Sequence, residues 1–124
     1  MQNPVVWSNL GFLYLAKNEY QLALDNFNKA LKLSPKDAYA LNNRGYAKFK
    51  LNDKKGALKD INQSLDLLPG NSYAYRNRAL IYMEGKETEK ACEDLYKAKQ
   101  LGFTELYGNE VDELIDSKCK NLKK

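Results

Sequence analysis

A chain of 124 residues, 44% of them hydrophobic, is sized for one domain with a folded core, and no apolar run in it approaches the ~18 residues of a membrane-spanning helix. The absence of histidine removes the commonest general base and the commonest metal ligand, and no glycine-rich phosphate loop, dinucleotide fingerprint or zinc-spaced cysteine pair takes its place. The net charge of +4 is spread along the sequence with acids and bases alternating, not gathered into the basic stripe that nucleic acid requires; the expectation is a protein without catalytic residues, cofactor or metal.

The first predicted pair of helices occupies about residues 4–37. Leu10, Leu13 and Tyr14 form an apolar stripe at helical spacing with Lys17 at its polar edge, and Leu24, Phe27 and Leu31 form a second. Asn18 marks the turn between them, since asparagine tolerates the left-handed conformation that often ends a helix. Pro35 cannot sit in a helix interior, so the second helix has ended by then. The next pair, about 38–71, repeats this ladder 34 residues on: Gly45 follows Gly11, Asn52 follows Asn18, Ala57 follows Ala23, Ile61 follows Phe27 and Pro69 follows Pro35. A third pair, about 72–103, carries Ala79, Lys86, Ala91 and Leu95 at these places, and Phe103 replaces the proline, which implies a change of course there. A fixed period of this size means one supersecondary unit copied along the chain, each copy too small to bury its own apolar face. The glycines and alanines of the ladder are expected where two helix backbones approach closely, so a leucine at Ala57 should overpack the contact at a cost of roughly 1–3 kcal/mol.

Beyond Phe103 the period breaks. Val111, Leu114, Ile115, Lys118 and Leu122 trace one amphipathic helix, with Asn109 and Asp112 as its capping pair. Residues 104–124 are therefore read as a cap over the apolar end of the last pair. Asp112, Glu113 and Asp116 form its wet face and not a catalytic carboxylate pair; Lys118, Lys120, Lys123 and Lys124 read as a solvated tail.

Trp7, Leu10, Gly11, Tyr14, Ala23, Phe27, Ala30 and Pro35 carry the spacing of the tetratricopeptide (TPR) unit, and recurrence at the same period makes the resemblance specific over residues 4 to about 103. The second unit departs from the pattern at Leu41, Arg44 and Lys48. The resemblance implies an all-α fold: a right-handed superhelical solenoid of three helix-turn-helix units plus a capping helix, one domain over 1–124. It also implies a function, because in this family the first helices of successive units line a concave groove that holds an extended peptide or a partner's helix. Carried over by register, the groove positions are Phe12 in the first unit, Tyr39, Asn42, Asn43 and Tyr46 in the second, and Tyr73, Arg76, Asn77 and Leu80 in the third, together with Ser8, Asn9, Phe49 and Met83. Aromatic rings offer apolar area at low entropy cost, asparagine amides bond a peptide backbone as donor and acceptor, and Arg76 can grip a carboxylate. Tyr46, Phe49 and Leu80 are equally readable as packing between helices, and the recurring Asn43-Arg44 and Asn77-Arg78 pairs as repeat architecture.

One subgroup of the family holds the acidic C-terminal tails of heat-shock chaperones with a clamp of lysine, asparagine, asparagine, lysine and arginine. Those positions are here Ser8, Phe12, Asn43, Tyr73 and Asn77, of which only Asn43 matches, and Arg76 stands one position away. No chaperone-tail binding of the lysine/arginine clamp type is expected. The partner is a protein or peptide, with nucleic acid not expected. Self-association through the terminal helix or the solenoid edge is the alternative, and RNA binding, which would show as steep salt dependence, a more distant one.

Two readings of the cysteines stand open. Cys92 takes the place of Leu24 and Leu58 and suits a small buried hydrophobe; with Cys119 it could instead form a disulfide fastening the cap, which needs an oxidising compartment. The start, Met1-Gln2-Asn3-Pro4, lacks a basic region and an apolar signal core, so the location is the cytoplasm, or the periplasm after removal of an export signal. The tandem asparagines and the Ala91-Cys92 and Leu101-Gly102 steps more loosely resemble small bacterial proteins of the family, which occur in both places.

Overall fold

The computed structural model describes residues 3–120; Leu122, Lys123 and Lys124 of the expected terminal face and tail lie outside them. Its helices run in successive pairs: α1 (Pro4–Ala16) with α2 (Tyr20–Leu33), α3 (Ala38–Lys50) with α4 (Lys54–Leu67), and α5 (Ser72–Glu84) with α6 (Thr88–Gln100). Then come α7 (Phe103–Tyr107) and α8 (Glu110–Leu114), the latter running into a π-helical turn, Ile115–Cys119. Among the described residues there is no strand, so the all-α expectation holds. The first four helices form one compact unit, Met1–Pro69, and the rest a second, Gly70–Lys124.

Local chemistry sets the helix limits at the same 34-residue period. Asn3, Asp37 and Asn71 cap the first helix of each pair, their side chains accepting the N–H of Val5 at 2.9 Å, Tyr39 at 3.1 Å and Tyr73 at 3.1 Å. Asn18, Asn52 and Lys86 turn the chain inside each pair at φ of 62°, 71° and 63°, a left-handed conformation that costs lysine more than asparagine. The second helices end at Leu33 and Leu67, ahead of Pro35 and Pro69.

In the N-terminal unit the two helices of each pair touch at their smallest residues. A Cβ on Gly11 would lie 2.6 Å from the Phe27 ring, and one on Gly45 2.7 Å from Ile61 and 3.0 Å from the Ala57 carbonyl oxygen. Ala23, Phe27, Ala57 and Ile61 are wholly buried. Leu13, expected within the apolar stripe, is instead 57% exposed, because α1 turns that edge away from α2.

A charged brace joins the second pair. Arg44 donates through Nε and Nη2 to the buried Asp60 carboxylate, both at 2.8 Å, and Lys48 reaches the same group at 3.0 Å. Arg78 and Asp94 repeat the fork in the third pair at the same distances, and that bond holds the Arg78 guanidinium above its ordinary pKa. The first pair places Leu10 and Asn26 there instead, and Asn26 donates to the Leu22 carbonyl at 2.8 Å.

In the C-terminal unit the helix expected after Asn109 runs from Glu110 through Cys119, its second half π-helical. A short helix not expected from the sequence, α7, precedes it, set apart from α6 and α8 by Gly102 and Gly108 at φ of 95° and 100°. Asn109 stands at the N-terminus of α8 but its side chain makes no capping bond. Asp112 serves elsewhere, accepting from the Thr104 hydroxyl at 2.8 Å and pairing with Lys99 at 3.1 Å. Val111 and Ile115 join Leu95, Ala98 and Phe103 in one core, and a disulfide links Cys92 of α6 to Cys119, their Cα atoms 5.8 Å apart.

Candidate functional site

The first helices of the N-terminal unit carry the positions assigned by register. Phe12 on α1 and Tyr39 on α3 present their rings to solvent, 57% and 63% exposed. Tyr46 is half-buried, its ring 6.3 Å from that of Phe49 and 5.9 Å from the Lys50 ammonium. Asn43 is half-buried and reachable. Asn42 departs from the expected role, being only 3% exposed. It shares an i, i+4, i+7 stripe with Ala38 and Gly45, and that whole stripe of α3 is buried. The Ser8 hydroxyl donates back along its own helix to the Val5 carbonyl at 3.4 Å.

In the C-terminal unit the assigned positions are already engaged by the chain itself. Arg76 holds a carboxylate as its chemistry suggests, but the carboxylate is that of Glu110, bound by Nε at 3.0 and 3.1 Å and by Nη2 at 2.8 Å. Its Nη1 donates to Asn77 Oδ1 at 2.7 Å, and its guanidinium lies 5.1 Å from the centre of the Tyr73 ring. Beneath this arginine Asn77 is 1% exposed, so it too is not a surface amide. Tyr73 packs against Phe103 at 5.7 Å and edge-on against Tyr107 at 4.9 Å. Leu80 is half-buried, and Met83 packs against the core cluster of the C-terminal unit.

The spacing explains this occupation. Glu110 follows Arg76 by 34 residues, as Val111 follows Asn77 and Ile115 follows Ile81, so α8 and the π-helical turn stand where the first helix of a fourth pair would begin. The cap takes the place of a first helix, and its Glu110 neutralises the arginine of the repeat before it. The period made this legible in the sequence, yet the missing proline at Phe103 masked it. Also missed were the caps at Asn3, Asp37 and Asn71, and the brace, whose signal is an aspartate 16 residues after each arginine.

Electrostatics gather at the cap. The Thr104 hydroxyl and then the Lys99 ammonium hold the Asp112 carboxyl below the usual carboxylate range, and Asp112 raises Lys99 in return. Two clefts of the N-terminal unit are lined mostly by second-helix residues and by none of the assigned positions. One of about 550 Å³ is lined by Trp7, Lys29, Lys32 and Leu33, with the Lys29 ammonium 4.5 Å from the Trp7 ring centre. The other, about 410 Å³, is lined in part by Asn28, Leu31, Pro35 and Leu41. Among the described residues no group of acidic or cysteine side chains is arranged to hold a metal ion, and no helix is long and apolar enough to cross a membrane.

A family model described as tetratricopeptide repeat matches residues 4–37, and a second of the same description matches residues 38–71. No curated relative matches the chain. Solved structures resemble it over nearly its full length. The TPR domain of OM64 from Arabidopsis is 19% identical, with 96% of each chain covered and a TM-score of 0.84. The Sgt2 TPR domain from Aspergillus fumigatus is 20% identical over 95% of this chain and 78% of its own, at a TM-score of 0.81. The TPR2B domain of yeast Sti1, solved as a complex with pHsp70, is 25% identical over 92% of this chain and 90% of its own, at 0.78.

Proposed function

We propose that this chain, which belongs to the tetratricopeptide repeat family, is a non-catalytic interaction module that captures an extended peptide or a helical segment of a partner protein on the first helices of its repeats. Interaction with other proteins is the coarse part of that reading, and similarity to a domain solved as a complex with pHsp70 supports it. The finer part rests on one observation: Phe12 and Tyr39, at positions assigned to the groove in the N-terminal unit, are each more than half exposed. A ring that passes from that state to full burial under a ligand contributes roughly 1–3 kcal/mol, enough to anchor an interface. Asn43 and Tyr46 supply an amide and a half-buried hydroxyl-bearing ring beside them. Tyr73, Arg76 and Asn77 contribute little, because a ligand must first displace Glu110 and Tyr107. Asn42 is withdrawn by burial, and Leu80 is a half-buried flank.

A displayed peptide library selected on the folded chain tests the reading. Binders should lose about tenfold or more in affinity, ~1.4 kcal/mol, when Tyr39→Ala and Asn43→Ala are combined, and nothing with Lys29→Ala on the second-helix side. A library that yields no binder, or binders indifferent to the double change, refutes it. Acidic chaperone tails should bind at millimolar strength or not at all, since Ser8, Phe12 and Tyr73 offer no cation to the carboxylates; micromolar binding would overturn that point.

A further inference from the structure

The first helix leaves bare an edge that every later first helix buries. α1, from Pro4 to Ala16, contains no charged residue, and Val6 and Leu13 on one of its edges are 51% and 57% exposed. Thirty-four residues on, the same two places are Ala40 and Ala47, at 1% and 0%. Ala47 packs with Ala23 and Phe27 of α2, and Ala40 with Leu31 of α2. The next equivalents of Leu13 are Ile81 and Ile115, each 2% exposed, and Ile115 packs with Leu95 and Ala98 of α6. This edge is thus where α3 receives α2 and where the cap meets α6, and on α1 it carries larger apolar residues than on α3 and stands exposed among the described residues.

We propose that this edge pairs two copies of the chain, α1 against α1 of the second copy about a two-fold axis. The alternative of head-to-tail stacking would need the free face of α6, and that face is already covered by residues 111–119 and pinned by the Cys92–Cys119 disulfide. A two-fold contact uses the same patch on both sides and must be self-complementary. An uncharged helix meets its own copy without like-charge repulsion. Val6 and Leu13 stand seven residues apart, two turns of helix, so in an antiparallel pair Val6 of each copy meets Leu13 of the other. The exposed Asn9 lies beside the axis, where its amide can bond its mate. One helix against one helix makes a contact at the small end of stable interfaces, so the dimer is expected to dissociate at roughly 10–100 µM. This proposal goes beyond peptide capture and does not depend on it.

Sedimentation equilibrium of the full chain, disulfide intact, over about 1–500 µM decides the matter. The mass should climb from 14.2 kDa toward twice that value, and Leu13→Lys and Val6→Lys, each at an exposed position, should fold and stay monomeric throughout. Leu106→Lys, at a site 67% exposed on α7, should associate like the parent. Mixing Leu13→Lys with Val6→Glu should restore a heterodimer, because the antiparallel pairing brings those two charges together. A parent chain that stays monomeric at the highest concentration overturns the proposal, and so does association unchanged by both lysine substitutions.

Discussion

Asp60→Ala should be among the most damaging single changes in the N-terminal unit, whereas a threefold change around it should be nearly silent. The Asp60 side chain is 3% exposed and answers two cations, Arg44 and Lys48, each 22% exposed. Removing it leaves both without a counterion while still mostly withdrawn from water. Breaking a buried pair costs about 3–5 kcal/mol, and partial access of the cations to solvent places the loss at the lower end, about 3 kcal/mol. The first pair of helices solves the same geometry without charge, with Leu10, Tyr14 and Asn26 in place of Arg44, Lys48 and Asp60. Arg44→Leu, Lys48→Tyr and Asp60→Asn together import that solution and should cost under about 1 kcal/mol, since apolar replacement of a buried ion pair is often neutral. Urea denaturation followed by circular dichroism measures both. An Asp60→Ala loss below about 1 kcal/mol, or a triple variant as unstable as the single one, would refute the reasoning.

Lys86→Asn should raise stability by about 0.5–1 kcal/mol in the same denaturation assay, since asparagine holds positive φ more easily and already does so at Asn18 and Asn52. The disulfide closes a span of 27 residues, so replacing both cysteines by serine should cost roughly 3–4 kcal/mol and raise amide exchange first in residues 103–119; unchanged exchange there would contradict the fastening role. Asp112 is held below its ordinary pKa, so its contribution is present above the unfolded carboxylate pKa and disappears as pH falls through the folded value. The difference in melting temperature between the parent and Asp112→Asn should accordingly shrink on acidification through the carboxylate range, and a constant difference would exclude the bond as its source.

The fold was legible because its signals are spaced steric ones. Gly11 and Gly45, Ala23 and Ala57, and the two prolines report close approach and helix ends directly, and the structure puts each where that physics requires. The site was legible only in part. Register assigns a face to a side chain but does not say what else occupies that face, so it brought Arg76 and Tyr73 forward without showing that Glu110 and Tyr107 take them up. Burial of Asn42 and Asn77 escaped for a related reason: a polar residue on a first helix reads as surface until its neighbours are counted. Leu13 went the other way, an apolar residue in a helical stripe that lies on the edge of α1 turned away from α2 and is 57% exposed. The terminal helix was legible from its apolar spacing, since Val111 and Ile115 are buried as that spacing requires, but its capping pair was not, because Asp112 is taken up by Thr104 and Lys99.

The central claim is that the first helices of the N-terminal unit are the capturing surface. Amide chemical-shift mapping of the labelled chain, titrated with a peptide selected on it, tests this most directly. The account predicts that the largest changes fall on α1 and α3, at Phe12, Tyr39, Asn43 and Tyr46, with α2 and α4 quiet. Changes concentrated instead around Trp7, Lys29 and Lys32, or in residues 103–119, would contradict it.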